Sequence, residues 1–181
     1  EVTVPGARRR SASRRPAPAN RRGVVAAGTL ALLLGACGGP VEVSAPALDA
    51  ETAATCESFL AALPEELAGL ERRELSPADA PARAWGDGLV LTCGVEEPPG
   101  FRQLIAPSCD EIVGVGWFFP PSELESEDGS VTGTTIGYRP RIEVVVPQEC
   151  RGGVSFAAFA ELAAPGQARL DLVQRCQWVS G

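Results

Sequence analysis

The sequence predicts an α+β domain: a small antiparallel sheet with helices packed on one face, stabilised by disulfides and preceded by a lipoprotein signal peptide. Three observations predict it. Short β-rich runs at 89–95, 112–119 and 131–146 lie between two stretches with helical spacing. Five cysteines are spread widely over the chain beyond Cys37. An Arg-rich and then apolar leader ends at that cysteine.

Residues 1–36 are expected to be a cleaved leader. They hold seven arginines (Arg8, Arg9, Arg10, Arg14, Arg15, Arg21, Arg22) and one acid, Glu1, ahead of the apolar run Val24–Leu34. The run has 11 residues, so as a helix it covers roughly 16 Å, about half a bilayer's hydrocarbon thickness. It is too short to span and reads as a signal-peptide core. Leu34-Gly35-Ala36-Cys37 resembles the bacterial lipobox: an aliphatic residue, two small ones, then a cysteine whose thiolate accepts a diacylglyceryl group. Cys37 is therefore expected to be the acylated N-terminus, anchoring the protein to the cell membrane on its extracytoplasmic side. Arg21-Arg22 leaves both general and twin-arginine export open. Residues 37–48, with Pro40, Pro46 and several small residues, read as a flexible tether with nothing to pack.

Residues 49–181 are expected to form one domain, with no internal repeat. Asp49 is placed to cap a helix through Leu63, with Cys56, Phe59, Leu60 and Leu63 on one face. Pro64 ends it and suits the start of a second short helix to Leu70. Residues 76–88, broken by prolines and glycines, read as loop. Leu89–Val95 is a strand closed by Pro98-Pro99-Gly100, and Ile112–Phe119 a second, closed by Pro120-Pro121. Val131–Tyr138 and Arg141–Val146 read as one long extended segment, with Pro140 at a bulge or edge. Ser155 suits the cap of a helix carrying Phe156, Phe159, Ala160 and Ala163 on one face. The pattern over 168–179 settles nothing.

Charge and composition exclude several functions. From Cys37 onward nine arginines face 22 acids, a net charge of −13. Such a body is a poor ligand for nucleic acid and is repelled by anionic headgroups, so attachment to the membrane falls to the leader. Without His there is no Ser-His-Asp or Cys-His system, no imidazole base and no His-ligated metal. No cofactor is expected. All 16 basic residues are Arg, and Ala, Gly and Pro abound; this pattern suggests a GC-rich coding sequence and points to actinobacteria.

In an oxidising compartment the cysteines read as disulfides, since no C-x-x-C occurs. Cys56 with Cys93 is the first expected pair and Cys109 with Cys150 the second, although Cys176 could replace either member of the latter. One thiol is left over, with a buried spare cysteine the simpler reading. Among the acids, Asp87 lies on a turn beside Trp85, and Glu143 lies on a strand near Arg139 and Arg141. Trp85, Asp87, Arg139 and Glu143 are thus the candidate surface or turn site. A carboxylate-dependent hydrolase of envelope glycans could be built from such groups, but a turn aspartate and a cross-strand charge pair are simpler. Glu123–Gly129 lacks calcium-loop spacing and reads as an acidic hairpin tip. Trp117 is expected in the core and Trp178 nearer the surface.

Several motifs resemble the actinobacterial lipoproteins grouped as the domain of unknown function 3515 family. They are Cys56, Leu63-Pro64, Arg72-Arg73, Trp85-Gly86-Asp87, Leu91-Thr92-Cys93-Gly94-Val95, Gly114-Val115-Gly116-Trp117 and the run Gly137 to Pro147. The sequence departs at Gly88, where the family usually has Pro, and at Thr92, where it often has Arg. The resemblance covers most of 37–147. It implies an envelope lipoprotein and no assigned activity. The expected function is a lipid-anchored, non-catalytic binding or accessory module, with the membrane and an envelope protein as partners.

Overall fold

A computed structural model describes residues 39–103 and 109–176; the leader, Cys37 and Trp178 lie outside the described residues. The chain enters through β1 (Val41–Glu42) and α1 (Ala50–Ala61). β2 (Glu66–Leu67), β3 (Leu70–Arg73), β4 (Leu75–Ser76), β5 (Ala82–Trp85) and β6 (Leu89–Cys93) follow, then α2 (Pro99–Gln103). Next come β7 (Asp110–Ile112), β8 (Val115–Phe118), α3 (Pro121–Glu125), β9 (Val131–Ile136), β10 (Tyr138–Arg139) and β11 (Ile142–Val146). A 3-10 turn at Gln148–Cys150 leads into α4 (Gly153–Arg169) and β12 (Asp171–Leu172).

Eight strands form an antiparallel sheet in the order β2-β3-β5-β6-β11-β9-β8-β7. β1 pairs parallel with β4, and β10 antiparallel with β12. The architecture is thus a mostly antiparallel sheet with four α-helices and two disulfides.

α1 starts where its cap dictates. The Asp49 carboxylate accepts the Glu51 and Thr52 N–H groups at 3.0 and 2.9 Å. Those bonds, led by the one from the Thr52 backbone, hold its pKa below the usual carboxylate value. The helix buries Cys56, Phe59 and Leu60, and α4 buries Ala158, Phe159, Leu162, Ala163 and Gly166. These faces join Trp85, Leu91, Trp117, Ile142 and Val144 in the principal core. Ser155 does not cap α4 but lies inside it, its hydroxyl donating to the Gly152 carbonyl at 2.7 Å. Phe156, expected on the packed face, is 63% exposed.

Three expected elements take other forms. Residues 64–70 form a β2–β3 hairpin instead of a helix, because Ala68 and Gly69 turn the chain at φ 51° and 80°. The single strand expected at 112–119 folds back at Val113 and Gly114, at φ 50° and 78°, into the β7–β8 hairpin. α4 holds both turns: Glu161 accepts the Ala68 N–H at 3.0 Å, and Gln167 donates to the Val113 carbonyl at 2.8 Å. The expected long segment over 131–146 is a β9–β11 hairpin in which Val146 faces Val131 and Glu143 faces Thr134. Pro140, after a cis peptide bond, lies in its connection. Residues 76–88, read as loop, contain β5, and the acidic stretch at 123–129 begins inside α3.

The helices do not all cover one face. Adjacent residues of a strand point to opposite sides. On β8, the Trp117 ring meets Phe159 of α4 at 4.7 Å, whereas Phe118 meets Phe101 of α2 at 5.5 Å. α4 therefore packs on one side and the short α2 on the other. Gly133 lets α4 come close, since a Cβ there would lie 2.6 Å from the Phe159 ring and 2.8 Å from that of Phe119.

Nor is the segment before α1 a loose tether along its described part. The Val41 and Val43 N–H groups donate to the carbonyls of Glu74 and Ser76 at 2.8 and 3.0 Å. Arg73 donates to the Gly39 carbonyl at 3.0 Å. Leu48 lies over Gly94, whose φ is +83°; a Cβ there would collide with Leu48 Cδ2. Backbone pairing does here what the proline-rich composition could not advertise: it fastens residues 39–48 to the domain as a strap.

Candidate functional site

The register gives the sheet two distinct ends. Val145 faces Val90 and Val146 faces Val131, so the Gly86–Gly88 turn, the start of β9 and the 3-10 turn share one end, called here the Asp87 end. Gly94, Pro140 and Asp171 share the other, the Arg139 end. The strap runs from the first towards the second, from the Arg73 contact of Gly39 to Leu48 over Gly94.

Two cavities flank the strap. The larger, about 540 Å³, lies between α1 and residues 78–81, with Leu48, Ala53, Leu60 and Pro81 in its walls. Arg83 projects from β5 into it, on the side of the sheet that carries Leu91 and Trp85. Its Nη1 donates only to the carbonyl of its neighbour Ala82, at 2.7 Å, and no carboxylate pairs with it among the described residues. Burial, and then the nearby charge of Arg72, lower its pKa from the ordinary guanidinium value, against the pull of Glu65. A half-buried cation without a counterion stands out in a chain this rich in acids. Glu57 and Asp79 also line the cavity, so it carries both signs of charge beside apolar side chains.

The second cavity, about 490 Å³, lies on the opposite sheet face beneath strap residues Val43, Ser44, Ala45 and Pro46. Glu143, Thr92, Val90 and Val145 form its floor. Burial raises the Glu143 pKa from the ordinary carboxyl value, and the charge of Glu123 adds to the shift. The expected pairing of Glu143 with its Arg neighbours does not form. Arg141 instead pairs with Glu97 at 2.7 Å, and Glu143 faces Thr92 and Thr134.

The four candidate residues read from the sequence do not converge. Trp85 is fully buried, its indole N–H donating to the Pro64 carbonyl at 3.2 Å while the Arg72 guanidinium lies 5.9 Å from the ring centroid. Asp87 is exposed on the β5–β6 turn, 3.7 Å from Arg73. Arg139 lies at the far end, donating to the carbonyl of Tyr138 at 2.9 Å and lining a polar cavity of about 310 Å³ with Asp49, Glu96 and Asp171. Asp87 and Thr92, which is the residue facing Glu143, are five positions apart on one hairpin arm. That is about 16 Å of strand, beyond the roughly 6.5–9.5 Å that an inverting pair of carboxyls uses. They do not share a cleft. Arg83 carried a signal that the sequence reading missed. Ala82-Arg83-Ala84-Trp85 alternates as a strand, with the charge on the core-facing side.

The cysteines also sort differently from expectation at the second pair. Cys56 joins Cys93, fastening α1 to β6. Cys109 joins Cys176 rather than Cys150, which is buried with a free thiol. The reason is placement. Cys150 lies on the 3-10 turn at the Asp87 end, whereas Gly116 of β8 lies against both Cys109 and Cys176. Burial raises the Cys150 thiol's pKa, with Glu149 and Asp87 adding to it.

No cluster of three or more His, Cys, Asp or Glu side chains among the described residues is arranged to hold a metal ion. No helix among them is long and apolar enough to cross a membrane. No curated protein and no solved structure matches the chain. A family model described as protein of unknown function (DUF3515) matches residues 23–174. Since that stretch takes in every described strand and helix, the chain belongs to the DUF3515 family.

Proposed function

We propose that the protein is a lipoprotein of the actinobacterial cell envelope, held at the extracytoplasmic face of the membrane by a diacylglyceryl group on Cys37. Its folded part acts as a non-catalytic binding module. The observation that carries the binding reading is Arg83, a half-buried guanidinium without a carboxylate partner in a cavity of about 540 Å³. That volume lies within the roughly 300–1,000 Å³ range of small-molecule sites. A cation kept partly from water is costly unless something neutralises it, and a carboxylate or phosphate on a small apolar body would do so. The lipid anchor rests on Leu34-Gly35-Ala36-Cys37, and the two disulfides suit an oxidising compartment.

Benzoate and inorganic phosphate serve as probes. Benzoate at millimolar concentration raises the melting temperature of the wild-type chain and leaves Arg83→Leu unmoved; phosphate alone acts more weakly because it cannot use the apolar walls. Equal stabilisation of wild type and Arg83→Leu would remove the cavity from the account.

A further inference from the structure

We infer that the Asp87 end of the domain lies against the membrane, with the groove around Leu124 and Phe156 seated on the lipid surface. The inference rests on the lipid-anchor reading, and its geometry comes from the strap. Gly39 is already fastened to Arg73, so only two Cα–Cα steps separate it from Cys37, a reach of about 7 Å. A lipid on Cys37 therefore cannot hold the domain off at a distance. The twelve-residue spacer expected from the sequence would have had a root-mean-square span of about 20 Å.

The fastening point also selects the end. The guanidinium that binds the Gly39 carbonyl donates to the Gly86 carbonyl at 2.9 Å, so the leash leaves the domain beside the Gly86–Gly88 turn. The same end carries α3, the 3-10 turn and the start of α4, tied together by Arg151, whose guanidinium donates to the Ser126 and Glu123 carbonyls at 2.6 and 3.0 Å. Here Phe156 and Leu124 are 63% and 52% exposed. With Ile112, Val131 and Phe159 they line an open groove of about 260 Å³. An exposed aromatic and an exposed leucine beside a short membrane leash suit the headgroup–acyl boundary. Val113, Leu172 and Val173 are also exposed, but the register puts them towards the Arg139 end, Val113 on the β7–β8 turn and the other two beside β10.

Charge sets the lipid for which this fits best. Asp87 and Glu149, both near Cys150, and Asp128, bonded to Gln148, lie at this same end and oppose anionic headgroups. The seating is therefore firmest on neutral lipid.

The test uses the chain from Cys37, which contains every described element and the whole core, coupled through Cys37 to a maleimide phospholipid in phosphatidylcholine vesicles. Backbone amide exchange over residues 121–126 and 148–157 slows at least about fivefold against the uncoupled chain, while exchange at 171–174 is unchanged. Replacing both exposed side chains, Leu124→Ser with Phe156→Ser, abolishes the slowing without altering the circular dichroism. A run of twelve Gly and Ser residues inserted between Gly38 and Gly39 weakens it. Slowing at 171–174 alone, at both ends equally, or at neither would overturn the proposal, the last leaving the groove to a protein partner. Because the coupling is chemical, the outcome does not depend on acylation in the cell, which is read separately from the mass of the mature N-terminus.

Discussion

Removing the Cys56–Cys93 bridge, as the double substitution Cys56→Ala with Cys93→Ala, tests how the helical layer is held to the sheet. The two residues are 37 positions apart, and closing a loop of that length in the unfolded chain is worth about 4 kcal/mol on the entropic account of disulfides. Both half-cystines are buried, at 1% and 0% exposure, so the loss of packed sulfur adds to that figure. For a domain of this length each kcal/mol moves the melting temperature by about 3–4 °C, giving a fall of about 12–16 °C. Thermal unfolding followed by circular dichroism reads it, with the Cys109–Cys176 bridge left intact. The bridge joins α1 to β6, the strand between β5 and β11 at the middle of the sheet. The loss therefore falls on the global transition and not on a separate early one. A fall of less than about 3 °C, or a biphasic melt in which α1 detaches alone, would refute the reasoning.

Gly133→Ala places a methyl against the Phe159 and Phe119 rings, and costs about 1–3 kcal/mol in denaturant unfolding; an unchanged midpoint would mean that α4 sits farther from β9 than described. Leu48→Ala removes the side chain that covers Gly94. It speeds amide exchange at Val41 and Val43 while the global midpoint moves by no more than about 1–2 kcal/mol, and unchanged exchange there would show that Leu48 does not hold the strap. For Glu143 the sign follows from its raised pKa. The folded state binds more protons than the unfolded one between the ordinary carboxyl value and the folded value. Stability therefore falls as pH rises through that window. Glu143→Gln melts higher than wild type above the window and equally at its acid end; a difference independent of pH would contradict this.

The first helix was legible because it announces itself three times, by an N-cap aspartate, by the spacing of Cys56, Phe59 and Leu60, and by a closing proline. β6 and β11 were legible as alternating apolar runs, and pairing each other across the sheet they bury Leu91, Ile142 and Val144. The hairpins at Ala68 and Val113 were not, since a non-glycine residue at positive φ carries little local signal, and both turns are held by α4 side chains far along the chain. The strap was missed for a related reason. Val41 and Val43 gain their partners from Glu74 and Ser76, more than thirty residues on, and nothing in a proline-rich stretch marks it as paired. Arg83 was hidden because its strand was read as loop, and only the strand's alternation shows that the charge faces inward. The second disulfide failed for lack of spatial information: three cysteines were available, and the fold brings Cys109 to Cys176 rather than to Cys150.

The central claim is that this is a lipid-anchored module whose mature chain begins at Cys37. The most direct test is the mass of the N-terminal peptide of the protein taken from the membrane fraction of cells expressing the full sequence. The account predicts a peptide that begins at Cys37, carries a diacylglyceryl group, and is lost from that fraction in Cys37→Ser. A mature chain that begins elsewhere, or an unmodified Cys37 in protein recovered from the membrane, would contradict it.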